Sequence, residues 1–234
     1  MPAGFYRPVS LRGCTIYRLN FTFLSNYWPR LLMGAVNTLF IAAFALFFGF
    51  MLGLLVALMR RSRFILLRGI GTFWVDFLRN TPFLVQLYFL FYGLPTLGIN
   101  TNPMVMAIIG LSINSSAPNC EALRAGLLAV KKDYYQCAYA LGFSHFQALR
   151  LVVIPVALRV AFRSLTNNFV NLVLTTSAAF SITVDELMGV SKTITARASR
   201  PFEMYLFIMA AYCVFTFLVS FAAKAVNRRI EIRL

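Results

Sequence analysis

Long apolar runs, cut by short charged clusters, dominate the chain. Residues 31–59 carry no charge and stop at Arg60-Arg61-Ser62-Arg63. At ~1.5 Å per helical residue this run exceeds a ~30 Å hydrocarbon core and crosses it with tilt to spare. A second run, 68–94, is interrupted by Asp76 and Arg79. A turn rich in Pro, Gly and Asn separates it from a third run, 104–130, which contains Glu121 and Arg124 and closes at Lys131-Lys132-Asp133. The fourth run spans about 160–182, and the fifth, 204–223, is stopped by Lys224, Arg228 and Arg229. The pattern predicts an all-α integral membrane protein with five transmembrane helices, occupying 31–228 as one domain. Residues 1–30 read as a mixed, interfacial segment with an aromatic stretch at 21–28, and 229–234 as a tail. Between the third and fourth spans, Tyr135, Ala138, Tyr139, Gly142 and Phe146 recur at helical spacing. They predict one short amphipathic helix over about 135–147, with Gly142 allowing a bend and Pro155 breaking the helix before the next span. Residues 185–200 read as a polar loop.

Composition agrees with the runs. Of 234 residues, 60% are hydrophobic and only 12% charged, and the mean hydropathy is +0.75. This excludes a disordered chain, a disulfide scaffold and a water-soluble enzyme. The 22 Lys and Arg against 7 Asp and Glu give a net charge of +15. Because these cations sit at the ends of apolar runs, they point to orientation and to contact with anionic membrane lipid rather than to nucleic acid. With the N-terminus outside, the inner segments hold Arg60, Arg61, Arg63, Arg68, Lys131, Lys132, Arg150, Arg159, Arg163, Lys224, Arg228, Arg229 and Arg233. The outer segments hold Arg7, Arg12, Arg18, Arg30, Lys192, Arg197 and Arg200. Thirteen against seven favours N-out and C-in, which places 134–150 in the cytoplasm. Cys14, Cys120, Cys137 and Cys213 have no ligand spacing and His145 is the one histidine, so no metal site is expected.

The candidate chemistry lies in the charged and amide side chains within the runs. Asp76, Arg79, Glu121 and Arg124 are costly in lipid and are expected to face a protein interior or a wet passage. Arg79 lies roughly 16 Å and Glu121 about 15 Å from the cytoplasmic ends of their runs, depths that let them meet near mid-membrane on antiparallel helices. Arg124 is placed to pair with Glu121, and Asp76 with Arg79, at a spacing of three. Two readings stand: ion pairs that hold the bundle, or a passage for a zwitterion. On the fourth span Ser164, Asn168, Asn171 and Thr175 form a polar stripe that either lines a pore or bonds to a neighbouring helix. No Gly-x-x-x-x-Gly-Lys phosphate loop occurs in the chain.

Several motifs resemble one family. Gln136-Cys137-Ala138 followed by Gly142 and by Val152-Val153-Ile154-Pro155 resembles the cytoplasmic loop of ATP-binding-cassette (ABC) importer permeases, with Gln for the family's Glu. The stretches Leu31–Gly34 with Thr38-Leu39, Asp76–Leu87, Asn114-Ser115 with Glu121 and Arg124, Glu186–Met188, and Arg200–Glu203 with Tyr205 resemble the polar amino-acid branch. That branch commonly carries Asn-Glu-Phe and Lys-Asp-Thr-Ser, where this chain has Asn167-Asn168-Phe169 and Leu174-Thr175-Thr176-Ser177.

The resemblance implies an importer subunit in a bacterial inner membrane, paired with a second permease chain, the same or similar. Two cytoplasmic ABC ATPases carrying the ATP and Mg would dock at Gln136, Ala138, Gly142, His145 and Phe146, and this chain itself would be no enzyme and hold no cofactor. A periplasmic or extracellular solute-binding protein would deliver an amino acid or similar solute. The passage residues would be Arg79, Glu121, Asp76, Arg124, Asn168, Asn171 and Thr175. The competing reading is a stand-alone secondary transporter or channel.

Overall fold

The structure is a computed structural model and describes residues 19–99, 102–130 and 132–231. Expectations that rest on Arg7, Arg12, Cys14, Arg18, Lys131 and Arg233 lie outside these residues. Every regular element among the described residues is helical: α1 (Leu24–Arg61), α2 (Ile65–Asn80), α3 (Phe83–Thr96), α4 (Pro103–Ala129), α5 (Lys132–Ala140), α6 (His145–Ala148), α7 (Ile154–Thr175), α8 (Leu187–Ala198) and α9 (Pro201–Glu231). A π-helical turn, Leu149–Val153, joins α6 to α7, and a 3₁₀ segment, Thr176–Ile182, extends α7. Among the described residues two helices, Leu24–Arg61 and Pro201–Asn227, are long and apolar enough to cross a membrane by length and composition.

Small residues set the closest approaches. Gly49 and Gly53 of α1 lie against Ser112, Ser115, Ser116 and Asn119 of α4, so tightly that a Cβ on Gly49 would sit 2.0 Å from Ser115 Oγ. Gly126 of α4 meets α7 in the same way: a Cβ there would sit 2.3 Å from the Ala157 carbonyl oxygen. In an apolar solvent, where burying Leu against Leu gains little over lipid, such backbone proximity is what drives helix association. Apolar clusters flank the seams, one around Ile41, Leu87, Met106 and Leu172, another around Val75, Leu78, Leu123 and Leu165.

Four expectations are corrected. The run 68–94 is not one helix: it breaks at Thr81-Pro82, because Pro82 holds the preceding residue extended (φ −114°, ψ 136°). Residues 135–147 are not one helix either. α5 ends at Ala140, where Gly142 takes φ +79° and the amides of Gly142 and Phe143 donate to the carbonyls of Tyr139 (2.9 Å) and Ala138 (3.0 Å). This is a Schellman closure, and its left-handed residue favours glycine. Pro155 breaks nothing: the backbone stays helical from α6 through the π turn into the first turn of α7, which holds Pro155. Finally, the stretch 185–200 holds α8. Glu186 caps it, accepting from the amides of Met188 (2.8 Å) and Gly189 (2.7 Å), while Leu187, Ser191 and Ile194 form its buried face.

Candidate functional site

The break between α2 and α3 leaves carbonyls without helical partners, which a lipid environment cannot satisfy. Gln86 satisfies them. Its Nε2 donates to the Leu78 carbonyl (3.0 Å), the Thr81 carbonyl (3.1 Å) and Thr81 Oγ1 (2.6 Å), while its Oε1 accepts from Asn114 Nδ2 of α4 (3.1 Å). One side chain thus closes the break and ties it to α4. Trp74 adds a second tie, donating from Nε1 to Ser116 Oγ at 3.0 Å.

Glu121 of α4 is half-buried between two guanidinium groups. One carboxylate oxygen is bonded to Arg60 Nη1 at the end of α1; the other accepts from Arg124 Nε (3.1 Å) and Nη2 (2.9 Å). The pairing with Arg124 follows the expected spacing. The meeting with Arg79 does not form, because the Gly49–Gly53 seam brings the last turn of α1 beside Glu121 and delivers Arg60 first. Nor do Asp76 and Arg79 form an ion pair among the described residues. The core face of α2 is Gly71, Val75 and Leu78, and both charges lie on the exposed side, beside exposed Phe73 and Phe77.

On α7, Asn168 Nδ2 donates to the buried Asn119 Oδ1 of α4 at 3.2 Å. Asn171 is exposed, and its carbonyl accepts from Thr175 Oγ1 at 2.7 Å. The polar stripe is therefore anchored at one point and open elsewhere.

A second polar centre, on Glu186, joins three helices. Besides capping α8, its Oε2 accepts from Tyr212 Oη of α9 (2.9 Å) and lies 3.5 Å from Thr38 Oγ1 of α1, which in turn accepts from the Leu187 amide at 3.0 Å. Glu203 is likewise buried and pairs with Arg200 at 3.1 Å. Around them Leu31, Leu187, Ile194, Met204 and Ile208 form an apolar cluster.

In the α5–α6 loop Gln136, Gly142, His145 and Phe146 are exposed, but Ala138 is 2% exposed and offers no surface to a partner. Tyr139 Oη and His145 Nδ1 lie 2.8 Å apart across the turn. Ser144 and Gln147 form a capping box that starts α6.

From the sequence, Arg60 reads as a stop signal and an inner-side charge, not as a partner of Glu121, and Gln86 and Glu186 have no role of their own. The Pro82–Gln86 spacing and the Ser-x-x-Gln at 144–147 were available signals; the reach of Arg60 to Glu121 had none, since it depends on helix register.

Residues 49–232 match the family described as binding-protein-dependent transport system inner membrane component. The L-cystine transport system permease protein TcyB of Bacillus subtilis (strain 168) is 33% identical over 207 residues, 88% of each chain. The glutamine transport system permease protein GlnP of Escherichia coli (strain K12) is 29% identical over 213 residues, 89% of this chain and 97% of that protein. The fold is similar to a crystal structure of an amino acid ABC transporter with histidines, with a TM-score of 0.84 and 30% identity, covering 91% of this chain and 100% of that one. It also matches an inward-facing MetNI methionine ABC transporter, at 19% identity and a TM-score of 0.71, which bears on the fold alone. By its helical architecture and by these matches, the chain belongs to the family of inner membrane components of binding-protein-dependent transport systems.

Proposed function

We propose that the chain is one of two permease subunits of an ATP-driven importer of amino acids or amino-acid-like solutes in a bacterial cytoplasmic membrane. Its relatives' substrates, cystine and glutamine among them, support the solute class. The five crossings are α1, the broken pair α2–α3, α4, α7 with its 3₁₀ extension, and α9, with the N-terminus out and the C-terminus in. The observation that carries the two-subunit reading is the exposed placement of Asp76 and Arg79 on an apolar helix. Charges in that position are expensive against lipid and call for a second chain or a wet passage beside them. The open residues of the α7 stripe, Asn171 and Ser164, meet the same requirement.

In this reading Arg79, Asp76, Asn168, Asn171 and Thr175 border the passage, and Glu121 with Arg124 balances charge at its inner end. A solute-binding protein delivers substrate outside. ATP and Mg are held by two cytoplasmic ATPases, which dock on the exposed Gln136, Gly142, His145 and Phe146. Hydrolysis belongs to those subunits and not to this chain.

The Gly142 turn supplies a test of coupling. A Cβ added there meets nothing within 4 Å, so the first added atom has room, while the positive φ costs about 1 kcal/mol for a non-glycine residue. Gly142→Trp is expected to assemble, but to lose uptake in vesicles reconstituted with the ATPase and binding protein. Wild-type uptake by this variant would remove the loop from the coupling path.

A further inference from the structure

α7 and α9 diverge over a cleft of about 680 Å³ that neither the ion pairs nor the loop described above uses. Its lining includes Arg159, Arg163 and Lys224, with Thr166, Asn167 and Ser220 between them. No acidic side chain among the described residues lines it. Arg163 and Lys224 are exposed, and Arg159 is half-buried. From the geometry and charge of this cleft we infer that it is a binding site for the headgroup of an anionic phospholipid of the adjoining leaflet.

Three features favour this occupant. The exposed Arg163 offers planar, paired N–H donors suited to a phosphodiester, and Lys224 adds a point charge. The hydroxyl and amide groups match the ester and hydroxyl oxygens of a glycerol headgroup. The cleft also lies where apolar helices end. Val160, Phe162 and Ala223 complete its lining and present an apolar wall to acyl chains, and Lys224 closes the apolar run of α9. A soluble anion would use the charges but leave the wall unused. That the leaflet is the cytoplasmic one rests on the orientation proposed above; the binding itself does not.

The test is native mass spectrometry of the tagged transporter in mild detergent, with phosphatidylglycerol or phosphatidylcholine added. The wild type is expected to retain phosphatidylglycerol preferentially. The preference should fall about five-fold for each cation removed, so that Arg163→Gln with Lys224→Gln nearly abolishes it. The single Lys224→Gln, at an exposed position, keeps the test valid if the double variant folds poorly, and should show the smaller drop. Arg197→Gln, in the last turn of α8, should leave the preference unchanged. Equal retention of the two lipids by the wild type, an undiminished preference in Lys224→Gln, or displacement of phosphatidylglycerol by excess inorganic phosphate would each overturn the site. The same spectra report whether an ATPase subunit is bound. A wild type that shows no lipid preference while the ATPase is bound would refute this inference and leave the proposed function standing.

Discussion

Glu121→Gln is expected to reduce uptake by about ten-fold or more while the chain still inserts and assembles. The carboxylate serves Arg60, whose side chain is 15% exposed, and Arg124, which is 45% exposed. Gln retains one acceptor oxygen and no charge, so one guanidinium keeps a neutral hydrogen bond and the other loses its partner. Hydrogen bonds to charged groups contribute about 1.5–3 kcal/mol each, and the half-buried Arg60 has little water to replace the loss. Solvent at Arg124 softens the effect, which is why assembly should survive. The double variant Arg60→Gln with Glu121→Gln separates the two readings of this carboxylate. If Glu121 only neutralises Arg60, removing both charges restores transport; if it also faces the solute, transport stays low with normal assembly. Uptake of a labelled amino acid into vesicles, scored beside size-exclusion profiles, checks both. Wild-type uptake and wild-type stimulated ATPase activity in Glu121→Gln would take this residue out of the mechanism.

The second large effect is structural. Gly126→Val should prevent recovery of a monodisperse protein. The first added carbon would stand 2.3 Å from the Ala157 carbonyl oxygen and 2.9 Å from Ala161 Cβ, and the nearer atom is helix backbone that cannot rotate away. Overpacking typically costs about 1–3 kcal/mol and more where backbone must move. Here the α4–α7 contact also carries the Asn119–Asn168 bond, so separating the helices exposes two amides. Gly69→Val is the matched control, because nothing lies within 4 Å of its added Cβ. Fluorescence-detected size exclusion in mild detergent should give a wild-type peak for the control and aggregate for Gly126→Val. Matching peaks would mean that this seam is looser than described.

The long apolar runs were legible because membrane burial acts on composition averaged over some twenty residues. Features decided by single backbone groups were less so. Pro82 cuts the second run through a steric restraint on Thr81, and hydropathy does not register it. Lys192, Thr193, Thr195 and Arg197 make the α8 stretch polar on average, so it reads as loop, whereas Leu187, Ser191 and Ile194 alone define its buried face. The loop helix was drawn too long because Phe146 continues the spacing of Tyr135 and Tyr139, although Gly142 reverses the chain between them. The local pairing of Glu121 with Arg124 was legible from spacing. Its pairing with Arg60 depends on how far α1 slides along α4, which the small residues at 49 and 53 set in three dimensions. Ala138 matched a motif and still lies buried, since a motif reports residue type and not the direction a side chain takes.

On the reading proposed above, this permease works with a separate ATPase. The most direct test is to purify the tagged chain in mild detergent and identify its stoichiometric companions by mass spectrometry. A soluble ATPase carrying a Gly-x-x-x-x-Gly-Lys phosphate loop is expected, with either a second copy of this chain or a similar permease. A stable homo-oligomer that transports solute with no ATPase bound, under conditions that keep related importers intact, would contradict it.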